Sequence, residues 1–400
     1  MTMNRRHVLK SVSLGGGGLV LLAAGGLAWR GYQRGSFADL TSGPAFEPWR
    51  QWRDARPDGL EAVALAGTLA SNPHDSQPWL FRIHDGSIDL VADRRRQMPV
   101  VDPFGRELTI GLGCAIENMV IAGHGLGLTA TVTLLPETAV PETAMPDAIA
   151  RLAFAPATPP ATPAPRFAAI GARHTHRGAY ARQELLPMAA LKALNSLEPA
   201  EGVGLILYPA GNALGRRFIA GTIAATEAFI ATPALSADSA RWFRQTRAAI
   251  DAHRDGIAIT SGGRPDWQVR AAMALPDFDA ASIDNAWLAD TREVHCATAP
   301  VFGAIRVVHR DDPRLLLEAG RLWQRLHLEA TTLGLAAQPL NQMMEMADWE
   351  TRQGTPGQFT DELNTLLHGA EGHIVFGFRI GRPLAPAVPS PRRALADVLA

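Results

Sequence analysis

Arg173 and Arg177 stand four residues apart and enclose His174, Thr175 and His176. Two permanently charged planar forks, a hydroxyl and two imidazoles can all donate to one anion, and a terminal phosphate suits such a set. A solvated basic turn has the same composition, so the octapeptide Arg173–Tyr180 does not decide the matter by itself. The His174-x-His176 pair has the spacing of a metal pair, yet no third ligand follows nearby, and no metal is expected.

A second segment, Ser71-Asn72-Pro73-His74-Asp75-Ser76-Gln77-Pro78-Trp79-Leu80-Phe81, lies about a hundred residues upstream. Together the two resemble a nitroreductase. In that flavoenzyme family an R-x-S/T-x-R/K turn binds the FMN phosphate, and a later P-S-S-x-N-x-Q-P-W-x-F segment contacts the isoalloxazine held by the other subunit. The resemblance therefore implies phosphate contacts from Arg173, His174, Thr175 and Arg177, and ring contacts from Asn72, Pro73, Asp75 and Gln77. It also implies that the turn at Gln338-Pro339-Leu340-Asn341-Gln342 points a backbone N–H from Asn341 or Gln342 at flavin N5. Val375–Pro383 resembles the family's closing F-G-Y-P segment, after which Arg392 and Arg393 fall where basic residues meet the phosphate; a solvated basic tail is the other reading of that pair. Two departures stand out. Asp75 occupies the place of the family's flavin-contacting Asn, and an ionised Asp accepts but cannot donate. The order of the two segments is also inverted. Asp102-Pro103-Phe104-Gly105-Arg106-Glu107-Leu108 with the two-half arrangement most resembles the Acg-like branch.

Inversion is expected if the chain holds the fold twice. Gly113 to Gly127 and Gly320 to Gly334 repeat the same glycine and apolar spacing at a constant offset of 207 residues. Apolar residues three and four apart between those glycines predict one amphipathic helix per half, of three to four turns with a Gly C-cap. The ten residues from Pro156 to Pro165 hold five prolines, which predicts an extended tether between a first half (45–155) and a second (166–400). Trp79–Ile83 and Ser87–Ala92 read as strands joined at Asp85-Gly86, and Val301–Val308 as a strand before the second helix. The stretch from about 230 to 290 has no counterpart in the first half. It is either a lid or a structural excursion. The expected fold is α+β, a duplicated nitroreductase-like pseudo-dimer. Each half lacks the site segment of the other, so one composite site, one FMN per chain and a monomer are expected.

Asn4-Arg5-Arg6-His7-Val8-Leu9-Lys10 before an uncharged, glycine-rich apolar stretch to Trp29 resembles a twin-arginine export signal. Cleavage after Ala28, after Ala38 or not at all is compatible with it, and the expected location is periplasmic or anchored to the periplasmic face of the inner membrane. Lys plus Arg (38) nearly balances Asp plus Glu (39), so no net field favours nucleic acid. Two scattered cysteines make no disulfide framework. The resemblance implies hydride transfer from NADH or NADPH through FMN to a small electron-poor acceptor, with no obligatory catalytic side chain; a flavin-storing protein closed by a lid is the alternative.

Overall fold

The computed structural model describes residues 26, 28–134, 148–158, 162, 164–184 and 186–400. The Arg5-Arg6 signal, and residues 159–161 and 163 of the proline-rich stretch, lie outside the described residues.

Two four-stranded antiparallel sheets carry the fold. The first is β1 (Trp79–His84), β2 (Ser87–Ala92), β3 (Leu128–Leu134) and β4 (Ala148–Pro156), side by side as β1-β2-β4-β3. The second comprises β5 (Val203–Pro209), β8 (Val301–Val307), β9 (Ala336–Pro339) and β10 (His373–Gly381), side by side as β5-β8-β10-β9. Taken in chain order both run first, second, fourth, third, so the two halves share one topology. His84 pairs with Ser87 across Asp85-Gly86, closing the predicted hairpin. A short parallel pair, β6 (Phe243–Arg244) with β7 (Ile257–Ala258), belongs to the stretch absent from the first half.

The two repeat helices are Arg106–Gly125 and Pro313–Thr332, 20 residues each. Both begin seven residues before the apolar pattern that predicts them, because polar groups start them. Asp102 accepts from the backbone N–H of Glu107 (3.1 Å) and Leu108 (2.9 Å), and Asp312 caps the second helix through the N–H of Arg314, with Pro313 at its first position. Each ends before a glycine of positive φ, Gly127 (78°) and Gly334 (68°), as a left-handed C-terminal cap requires.

These helices cross at the middle of the molecule. A Cβ added to Gly113 would lie 2.0 Å from the Leu317 carbonyl oxygen, and one added to Gly320 would lie 2.0 Å from that of Ile110. Leu317 and Ile110 are themselves 207 residues apart, so one contact appears twice, transposed about a pseudo-twofold axis. Around it Cys114 Sγ donates to Gly320 O (3.3 Å), Gln324 Nε2 to Asn118 Oδ1 (2.7 Å), and Arg321 to Glu117 (3.0 Å). One apolar core runs through both halves, from Phe81 and Leu90 to Trp323 and Phe378.

Residues 398–400 return to the first sheet. Phe81 N donates to Val398 O (2.7 Å) and Ala400 N to Phe81 O (2.9 Å), forming a parallel bridge on the free edge of β1.

Candidate functional site

A cavity of about 600 Å³ opens between the halves, within the ~300–1,000 Å³ of small-molecule sites. The first half supplies Ser71, Asn72, Pro73 and His74, with Glu107, Ile110, Gly111 and Cys114 on one stripe of the first long helix. The second supplies Thr175, Arg177, Trp323, Asn341, Gln342, Glu345 and Phe376. Above them, Phe243, Ile259, Arg264, Val269, Phe278 and Trp287 come from the stretch without a first-half counterpart, which thus covers the cavity. Trp323 ties the halves together, its indole N–H donating to Ser71 Oγ (3.1 Å) and its ring packing on Phe376 and Phe378.

Arg177 is a cation in the cavity wall. Its guanidinium makes only long contacts, 3.4 and 3.5 Å, to the carbonyl and hydroxyl oxygens of Ser261, and among the described residues it forms no ion pair. Burial lowers its pKa. A half-buried cation whose nearest counter-charge, Asp75, acts on it without an ion pair is left short of partners, and an anion in the cavity would supply one. Arg264 differs, being held by both oxygens of Asp290 (2.7 and 2.9 Å). Burial, reinforced by Arg177, lowers His74 to about 4. Burial also holds His295 well below the usual imidazole range, with Arg379 and Arg177 adding to it, so both rings are neutral near pH 7. Two lining atoms, His295 Nδ1 and Gln342 Oε1, are buried and unpartnered.

Six of the twelve residues expected at the site line this cavity: Asn72, Pro73, Thr175, Arg177, Asn341 and Gln342. The other six form a layer behind it. Arg173 donates to Leu69 O (2.7 Å) and approaches His327 Nδ1 (3.3 Å); burial, then Arg392, lowers its pKa to about 9. His174 packs edge-on against Trp49, and burial lowers it to about 3. Gln77 has no exposed surface, and its amide is occupied: Nε2 donates to Arg254 O (2.9 Å) and Oε1 accepts from Arg393 N (2.8 Å). Asp75 pairs with Arg392, and His74 Nε2 meets Ser239 Oγ (2.9 Å). Arg393 donates to Asp397 O (2.6 Å). The C-terminal arginines therefore fasten the tail to the loop that carries the cavity wall.

That loop is strained. His74 (φ 46°), Asp75 (54°) and Gln77 (51°) are all left-handed non-glycine residues, at ~1–2 kcal/mol each. Surrounding bonds over-determine them: Asn72 Oδ1 accepts from Gln77 N (2.7 Å) and Pro73 O from Ser76 N (2.8 Å). Strain of this kind clusters where a structure must hold a ligand wall in one place. The motif shows Asn-Pro-His-Asp but not its backbone, so the strain was not legible; Glu107 lies in the Asp102–Leu108 segment, which pointed to a branch of the family and not to a site, and Arg264, His295 and Glu345 belong to no recognisable motif.

No protein-family profile matches the chain. It is 25% identical over 346 residues to "Putative NAD(P)H nitroreductase Rv3131" of Mycobacterium tuberculosis, covering 85% of this chain and 90% of that protein. It is 29% identical over 79 residues to "Putative NAD(P)H nitroreductase acg" of the same organism, 20% of this chain and 24% of that one. Among solved structures, a nitroreductase with bound FMN from Desulfitobacterium hafniense DCB-2 aligns at 14% identity and a TM-score of 0.37, over 59% of this chain and 97% of that one. The FMN-dependent nitroreductase NfnB from Mycobacterium smegmatis in complex with NADPH aligns at 15% and 0.36, over 57% and 93%. A sequence match of 346 residues necessarily runs through both halves. The chain is similar to putative nitroreductases, that named acg among them, as its motifs imply.

Proposed function

We propose that the cavity holds FMN, with the phosphate at Thr175 and Arg177 and the ring between the Asn72–His74 wall and the Asn341-Gln342 turn, and that the protein is an FMN-dependent NAD(P)H oxidoreductase acting on a small electron-poor acceptor. The observation that carries this is Arg177, a half-buried guanidinium without an ion-pair partner among the described residues, lining with Thr175 a cavity of cofactor size. The unpartnered Gln342 Oε1 accepts, which suits an N–H on the ring's edge, and His295 Nδ1 is a second unmet polar atom in the wall. When bound, the flavin accepts two electrons from a nicotinamide and passes them on. The protein's own residues bind the phosphate, fix the ring against the strained loop, and exclude water with the covering stretch.

Anaerobic addition of NADH or NADPH to yellow protein is expected to bleach the flavin, and an acceptor such as a nitroaromatic to restore it. A flavin that resists both donors would favour the storage role, which nothing in the relatives' names supports. We further propose that the chain works as a monomer, and that Arg5-Arg6 direct twin-arginine export to the periplasm or its membrane face. Replacing both with Lys is expected to retain the protein in the cytoplasm; unchanged export on cell fractionation would remove that proposal.

A further inference from the structure

Two carboxyl groups with no part in holding the flavin face the same cavity. Glu107 lies in the first turn of the first long helix, and Glu345 lies one turn along the Gln342–Gln353 helix from Asn341 and Gln342. Both are buried, at 4% and 6% exposure, and near enough that each carboxyl acts on the other's proton. Two ionised carboxylates only accept and repel each other, so two such groups buried together in one cavity wall are favoured when they hold a proton between them.

The surroundings explain why the proton stays. Asp102 is satisfied by the backbone N–H groups of Glu107 and Leu108. Asp348 is bonded by Arg106 Nε at 2.7 Å and by Arg310, while Arg106 also approaches Glu107 at 3.4 Å. Four carboxyls thus share two guanidiniums, and Asp348 engages both. Across the cavity Arg264 is neutralised by Asp290, Asp284 is bonded to Ser236, and His295 is neutral. Burial raises Glu107 to about 7 despite Arg106, and raises Glu345 well above the carboxylate range, with Glu107 adding to it.

We propose that Glu107 and Glu345 are a shared-proton dyad that donates the proton completing reduction of the acceptor. The proposal rests on the flavin reading, which supplies the reductant. A quinone-type or nitroso-type acceptor receives a hydride equivalent, two electrons and one proton, from the reduced flavin. The anion so formed takes the second proton: the dyad's O–H bond breaks, its electron pair stays on the carboxylate, and a new O–H or N–H bond forms on the acceptor. Two facing carboxylates are then left, an arrangement unfavourable enough that solvent reprotonates the pair as product leaves. Until such an anion appears beside it the dyad keeps its proton.

Glu107→Gln and Glu345→Gln preserve shape. Holoprotein reduced with dithionite, which bypasses the nicotinamide step, is mixed in stopped flow with p-benzoquinone, which needs the second proton, or with ferricyanide, which takes electrons alone. Either variant is expected to slow the quinone reaction by ~10²–10⁴-fold, the usual size of general-acid catalysis, and to leave ferricyanide unchanged. Infrared spectra of the wild type at pH 6 are expected to show a protonated-carboxyl C=O band that each variant alters. Unchanged quinone rates in both variants, or equal slowing of quinone and ferricyanide, would overturn the donor role; no such band in the wild type would overturn the dyad. If the protein binds no flavin, the earlier reading falls and the donor role with it, while the infrared band still decides whether the pair shares a proton.

Discussion

At the scale of residues, the two arginines of one motif have different tasks. Arg177 faces the cavity and Arg173 braces the backbone at Leu69. Removing one charged partner of a buried pair typically costs about 2–5 kcal/mol, so Arg177→Ala is expected to weaken FMN roughly thirty-fold to several thousand-fold and to abolish preference for FMN over riboflavin. Arg173→Ala is expected to lower thermal stability and weaken both ligands alike. Calorimetry with the two ligands separates these outcomes; a retained FMN preference in Arg177→Ala would refute the phosphate assignment. Asp75 adds a pH test. Burial raises it from 3.8 to about 6 against the pull of Arg392. A raised folded-state pKa stabilises fully below pH 3.8 and is lost as pH rises through 6, up to roughly 3 kcal/mol at 1.36 per unit. Urea midpoints of the wild type should fall across that window, and those of Asp75→Asn should be flatter though lower, since Arg392 is left unpaired; parallel curves would exclude Asp75 as the titrating group. The motifs located Thr175, Arg177, Asn72, Pro73, Asn341 and Gln342 on one cavity, because each family-like segment is short and its geometry local. They misplaced Arg173 and Gln77 because what those side chains bond, His327 and Arg254, lies 154 and 177 residues away.

At the scale of elements, the repeat was legible as a register. Glycines 207 apart predicted matched helices, and the same glycines make the crossing. Gly113→Ala and Gly320→Ala should each force the helices apart, at about 1–3 kcal/mol or more for an overpacked contact, and by similar amounts because the contact is the same. Chemical denaturation checks both; one tolerated and one not would deny the pseudo-twofold. The helix starts were not legible, since Asp102 caps from outside the apolar pattern. The covering stretch also hid its tether. Arg247 donates to Asp39 O (2.6 Å), Arg270 to Ser36 O and Ala38 O (2.7 and 2.9 Å), and Arg34 to Met273 O (2.6 Å), while Leu40 is buried against Ile259, Val269 and Met273. A chain beginning at Asp39 is expected to be cut faster by protease between 240 and 290 than one beginning at Trp29. Equal cutting would show that the segment does not hold the cover.

At the scale of the whole molecule, the shared topology of the two sheets was foreseeable from the repeat, but the inequality of the halves governs function. Only one arginine turn and one Asn-Pro-His-Asp wall exist, so acid release is expected to yield about one FMN per chain from a monomeric species in sedimentation; two per chain would mean a second site built from other residues. The closing bridge between Phe81 and Leu399 has a consequence for synthesis. The sheet made first is completed at its edge by residues made more than three hundred positions later. Throughout translation of the second half, until residues 398–400 have been made, the nascent protein therefore presents an unpaired β1 edge, the kind of surface that recruits foreign strands.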